Sequence, residues 1–98
     1  METPFYISFS LKTPTGYDVI CEFAIGDNRE IAYALFDSLH GEEQYKENDL
    51  LHINLVETVE ALPVKISSKC CNLEELGCNT KIIVRELFRQ KNLKNYEE

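Results

Sequence analysis

From Phe5 to Lys12 apolar and polar residues alternate without a break, with Phe5, Ile7, Phe9 and Leu11 on one side and Tyr6, Ser8, Ser10 and Lys12 on the other. A period of two is the mark of a half-buried strand. Thr13-Pro14-Thr15-Gly16 follows, with proline pre-set for the second turn position and glycine free to reverse the chain, and predicts a hairpin. Alternation resumes from Tyr17 to Ile25. It predicts a second, antiparallel strand with Tyr17, Val19, Cys21, Phe23 and Ile25 facing inward and Asp18 and Glu22 outward.

The period then changes. Asp27 with Glu30 three positions on resembles a capping box, and Ile31, Leu35 and Leu39 recur at i, i+4 and i+8 beside Ala32 and Phe36. This predicts a helix over about 28–40, closed by Gly41 in the left-handed region. Glu42 to Asp49 is charged, has no apolar period and predicts an exposed loop. A third strand is expected from Leu50 to Val59, where Leu51, Ile53 and Leu55 alternate with His52, Asn54 and Val56, and Glu57 breaks the phase as a bulge would. Pro63 cannot donate to a ladder, so Val64 to Ser67 reads as a short edge strand at best. Asn72 with Glu75 is a second capping signature. The helix it opens is expected to be divided at Gly77, with a fresh start capped by Asn79 or Thr80, and to run to about Lys91. On a helical wheel Ile83, Val84, Leu87 and Phe88 share one arc, and Lys81, Arg85 and Arg89 form the neighbouring stripe.

One-sided helices and alternating strands bury their apolar faces most simply in two layers. The predicted fold is therefore a single α+β domain over 1–98, ordered β-β-α-β-(β)-α, with the helices on one face of a mainly antiparallel sheet. The connection from the second strand through the first helix is long enough to be a crossover, which would run the third strand parallel to one hairpin strand. The sequence shows no internal repeat, low-complexity tract or domain linker.

Composition narrows the class further. At 98 residues, 44% apolar and 28% charged, the chain has room for one core and matches neither disordered nor fibrous chains. The opening Met1-Glu2-Thr3-Pro4 lacks the basic stretch and apolar run of a secretory signal, and no segment approaches the about 20 apolar residues of a spanning helix. A cytoplasmic protein with reduced thiols is expected, without membrane contact. The net charge of -7 opposes attraction to nucleic acid. That charge is unevenly spread: residues 1–78 hold five basic and fourteen acidic side chains, whereas 79–96 hold Lys81, Arg85, Arg89, Lys91 and Lys94 against Glu86 alone.

Three features carry candidate chemistry. Cys70, Cys71 and Cys78 lie near a helix start, where the dipole lowers a thiol pKa, and three thiols with His40 or His52 could in number hold zinc, although their spacing is not CxxC-like. The competing expectation is that they are small buried hydrophobes, with Cys21 in the core. His40 in the last turn of the first helix would complement its dipole, and His52 shares the outer strand face with Asn54. Lys81, Arg85 and Arg89 suit phosphate or an acidic protein groove, but a solvated face accounts for them more simply. Phosphate loops, GxSxG, HExxH and EF-hand runs are all missing from the sequence, and the carboxylates Glu42, Glu43, Glu47 and Asp49 have no assignable partner acid or base. With no cofactor implied, the expectation is a noncatalytic domain that binds protein, itself included, through Lys81, Arg85, Arg89, His52 and Asn54. A redox or metal protein built on Cys70, Cys71 and Cys78, and nucleic-acid binding by the last helix, are the alternatives.

Overall fold

The structure, a computed structural model, describes residues 4–42 and 50–96, of which 93–96 are described as backbone only. Glu43, Glu47 and Asp49 of the expected acidic loop lie outside the described residues. Four strands, β1 (Phe5–Thr13), β2 (Gly16–Gly26), β3 (Leu51–Val59) and β4 (Leu62–Cys71), form one antiparallel sheet in the order β2-β1-β3-β4. Helix α1 (Arg29–Asp37) links β2 to β3, and α2 (Leu73–Tyr96) follows β4. This is the expected two-layer α+β fold. β3 runs in the same direction as β2, with β1 between them, as the crossover implied.

The core lies between the sheet and the helices. Phe5, Ile7 and Phe9 of β1 meet Leu51, Ile53 and Leu55 of β3, and Ala32, Leu35, Phe36 and Leu39 from the α1 region and Ile83 from α2 close over them. Burying each large apolar side chain here stabilises the fold by about 1.5–3 kcal/mol.

Three register shifts each leave an extra residue in a strand, at Ile25, Ile20 and Ile66, and the last two correct the expected faces. Phe9 pairs with Cys21 but Ser10 pairs with Val19, so Ile20 is an extra residue in β2. A one-residue slip turns every later side chain to the opposite face. Cys21 and Phe23 pack against the core as expected, whereas Tyr17 and Val19 are re-aimed to the side away from the helices. The last of the three falls on β4: Leu55 pairs with Ser67 and Val56 with Lys65, leaving Ile66 extra. Glu57 itself stays in register, opposite Val64.

β4 is also longer than expected. Pro63 stands on an outer edge, where a missing N–H costs nothing, and the strand continues through Cys71. The β3–β4 hairpin turns on Glu60 and Ala61 alone, with φ of 51° and 67°. Two successive left-handed residues are what a tight twisted hairpin requires, but glycine or asparagine is the usual occupant. The missing glycine hid the hairpin in the sequence.

The hairpins repeat. An offset of 46 positions carries the Phe9–Cys21 pair onto Leu55–Ser67, Ser10–Val19 onto Val56–Lys65, and bulge Ile20 onto bulge Ile66. The same offset carries Ser8 onto Asn54, and these two residues pair with each other, so the two-fold axis relating the hairpins passes between them. The chain is therefore two ββα units. It was invisible as a repeat because the halves share an apolar pattern rather than residues.

Helix ends depart from expectation by small amounts that matter. Asn28, not Asp27, caps α1, its side-chain oxygen accepting from the Ile31 N–H at 3.0 Å. The helix stops at Ser38, leaving His40 beyond it. The cation at that carbonyl end is Lys69, whose Nζ donates to the carbonyls of Phe36 (2.8 Å), Leu39 (2.9 Å) and Asp37 (3.4 Å). Lys69 is buried, 5.0 Å above the Phe36 ring, and its offset partner in the first unit is Phe23. Gly41 has φ of 149°, and a Cβ there would stand 2.8 Å from the Cys70 carbonyl, so the position excludes other residues. The close approach lets Glu42 exchange two backbone hydrogen bonds with Cys70.

Candidate interaction surface

Helix α2 is continuous through Gly77. Asn72 and Glu75 form the reciprocal capping box, with Glu75 N–H donating to Asn72 Oδ1 at 2.8 Å and Asn72 N–H to Glu75 Oε1 at 3.0 Å. Asn79 starts no new helix. It is fully buried, accepting from His40 N–H at 2.7 Å and donating to the His40 carbonyl at 2.8 Å. One amide side chain thus satisfies both backbone groups of a residue just past α1.

That contact sets the rotation of α2. With Asn79 inward, Leu76, Ile83 and Leu87 follow at helical spacing and pack on the core. Val84 and Phe88 do not share their burial. They sit one residue, about 100°, further round and are 49% and 67% exposed. Lys81, Arg85 and Arg89 are exposed beside them. Arg89 reaches Glu86 at 3.1 Å, an exposed i, i+3 pair of modest strength, while Lys81 and Arg85 make no ion pair among the described residues. Between the helices Arg85 and Arg89 overlook a groove of about 460 Å³ floored by Ile31, Leu35 and Ile82.

The other proposed contact residues are not presented. His52 and Asn54 lie on the sheet face away from the helices but are only 2% and 8% exposed. Tyr17, re-aimed by the β2 bulge, stacks on the His52 ring with centroids 4.0 Å apart. Asn54 accepts from Ser68 Oγ at 2.7 Å and approaches Ser8 Oγ at 3.4 Å, on the two-fold axis. Of the expected contact residues, the exposed ones are Lys81, Arg85 and Arg89, all on α2.

The thiols occupy three environments. Cys70 and Cys71 are successive strand residues on opposite faces, Cys70 across from His52 and Cys71 across from Leu51 in the core. Cys78 is exposed on α2, and none of the four cysteines is joined in a disulfide. Among the described residues no group of three His, Cys, Asp or Glu side chains is arranged to hold a metal ion. Nor is any described helix long and apolar enough to cross a membrane.

Fold and surface together define a two-layer α+β domain of two ββα units with a basic, partly apolar outer helix. No protein-family model, curated protein or solved structure matches the chain.

Proposed function

We propose that this protein is a noncatalytic binding module that engages protein, a second copy of itself included, through the outward face of α2. The observation that carries the reading is the exposure of Val84 and Phe88, one turn apart, amid Lys81, Arg85 and Arg89. The opposite side of α2 already meets the packing needs of the fold, so folding does not account for these two apolar residues. Covering a phenylalanine of this exposure is worth about 1.5–3 kcal/mol, and aromatic and arginine side chains are the residues on which protein interfaces most depend. The cysteine alternative draws less support, since Cys70 and Cys71 face opposite sides of the sheet and no three metal-ligating side chains are gathered among the described residues. For nucleic acid, the chain's charge of -7 is unfavourable.

Light scattering coupled to size-exclusion chromatography, over a concentration series at about 0.15 M salt, where charges more than about 8 Å apart are screened, tests the reading. The mass of the wild-type protein should rise with concentration, and Phe88→Ser should shift that rise about tenfold higher. A wild-type monomer throughout the series refutes self-association.

A further inference from the structure

Helices α1 and α2 lie side by side without closing on each other. Along the groove between them α1 presents Ile31, Ala34, Leu35 and Ser38. From the other side α2 presents Ile82, Arg85, Glu86 and Arg89. Both sets follow the spacing i, i+3, i+4, i+7, so the helices flank the groove together for about two turns, or about 10.5 Å at about 1.5 Å per residue.

The two walls differ in charge. The α1 wall holds no ionisable group and stays in solvent, with Ile31 37% exposed and Ala34 and Ser38 exposed as well. On the α2 wall the Glu86 carboxylate accepts from Arg89 at 3.1 Å and from Gln90 at 3.3 Å, and so is already engaged. Arg85 makes no ion pair among the described residues. Arg85 and Arg89 against Glu86 leave the groove with an excess positive charge, and the apolar wall opposite cannot answer it.

An occupant that completes both walls brings apolar side chains and a carboxylate. A small carboxylate ligand is the poorer match: small-ligand sites enclose about 70–90% of their occupant, and a groove exposed along its α1 wall does not. A protein helix needs no such enclosure. Its apolar residues at i, i+4 and i+7 span the same about 10.5 Å, and its ridge packs between two helical walls as a third helix does on a pair.

We infer that the groove between α1 and α2 seats an acidic amphipathic helix of a partner protein, with apolar side chains over Ile31, Leu35 and Ile82 and a carboxylate on Arg85. This rests on the protein-binding reading above and names the partner's chemistry. Arg85 belongs both to the groove and to the basic stripe of α2, so the two surfaces adjoin.

The probe is a synthetic helix-forming peptide of about 20 residues, with leucines at i, i+4 and i+7 and glutamates beside them, titrated into isotope-labelled protein and followed by NMR. The amide signals of Ile31, Ala34, Ser38 and Ile82 should shift with a dissociation constant below about 1 mM, and lysines in place of the glutamates should weaken binding about tenfold. Ala34→Trp, which fills the groove from an exposed position, and Arg85→Glu should each raise the dissociation constant about fivefold or more, with native circular dichroism. Phe88→Ser, outside the groove, should change it less than either. Equal binding of the lysine peptide, or an absence of shifts at these amides, overturns the groove assignment. Binding that Phe88→Ser weakens and Ala34→Trp does not also overturns it, while leaving the α2 reading in place. Groove shifts in a protein that light scattering finds monomeric sustain the assignment and refute self-association alone.

Discussion

Replacing Asn79 tests whether one side chain holds the two units together. In Asn79→Ala the His40 N–H and carbonyl both lose their partner, at 2.7 and 2.8 Å in the native protein. Each bond contributes about 0.5–1.5 kcal/mol net, and stranding a buried polar group adds about 1–3 kcal/mol unless water reaches it. The His40 side chain is exposed, so water recovers part of that second cost. The expected loss is about 2–4 kcal/mol of a total near 5–15 kcal/mol, and it should lower the melting temperature by about 10–25 °C. Asn79→Asp adds a signature in pH. An aspartate still accepts from the His40 N–H, but its second oxygen faces the carbonyl that the amide nitrogen had satisfied. Protonation restores a donor, so the folded-state pKa of this aspartate is raised above its unfolded value of about 3.9. The folded state then holds the extra proton, and the deficit relative to wild type is greatest above the folded pKa and shrinks as pH falls toward the unfolded value. Urea unfolding at pH 7 and pH 5 reads both effects. An Asn79→Ala deficit under about 1 kcal/mol, or an Asn79→Asp deficit equal at the two pH values, would refute the reasoning.

Three further outcomes follow from the same geometry. Lys69→Met keeps the buried stem but strips the carbonyls at the end of α1 of their donor, and should cost about 2 kcal/mol in urea unfolding. Glu60→Asn/Ala61→Gly relieves two left-handed non-glycine residues and should raise stability by about 1–2 kcal/mol, visible as a higher melting temperature. In a thiol titration of the native protein Cys78 should react first, Cys78→Ser should abolish that phase, and Cys70 and Cys71 should react only on unfolding. Fast reaction of either buried cysteine would revive the redox reading.

Most of the fold was legible where one face of an element is buried and the other is not. The alternation in β1 and β3 and the Asn72–Glu75 capping box needed no tertiary information. What stayed hidden came from contacts between distant segments. The Glu60-Ala61 turn lacks the residues that announce such a turn, and the bulges at Ile20 and Ile66 interrupt no apolar pattern strongly enough to show. For α2, the apolar arc of Ile83, Val84, Leu87 and Phe88 suggested one buried face, but the rotation is decided by Asn79 reaching a backbone 39 residues away. Of the candidate contact residues, Lys81, Arg85 and Arg89 are exposed as a basic stripe should be. His52 and Asn54 looked equally available, because no alternation pattern reveals that a tyrosine from a bulged neighbour will lean across His52 or that Ser8 and Ser68 will engage Asn54.

The two-fold axis between Ser8 and Asn54 bears on what kind of assembly the chain can enter. Two ββα units on one chain behave as a dimer whose subunits cannot separate, and such a tether frees each unit from matching the other. In a dimer of identical units every surface appears twice, and contacts tend to close on themselves. Here the long basic helix occurs once, because α1 spans 9 residues where α2 spans 24. A surface that occurs once gives the particle a direction that the symmetric sheet alone could never have.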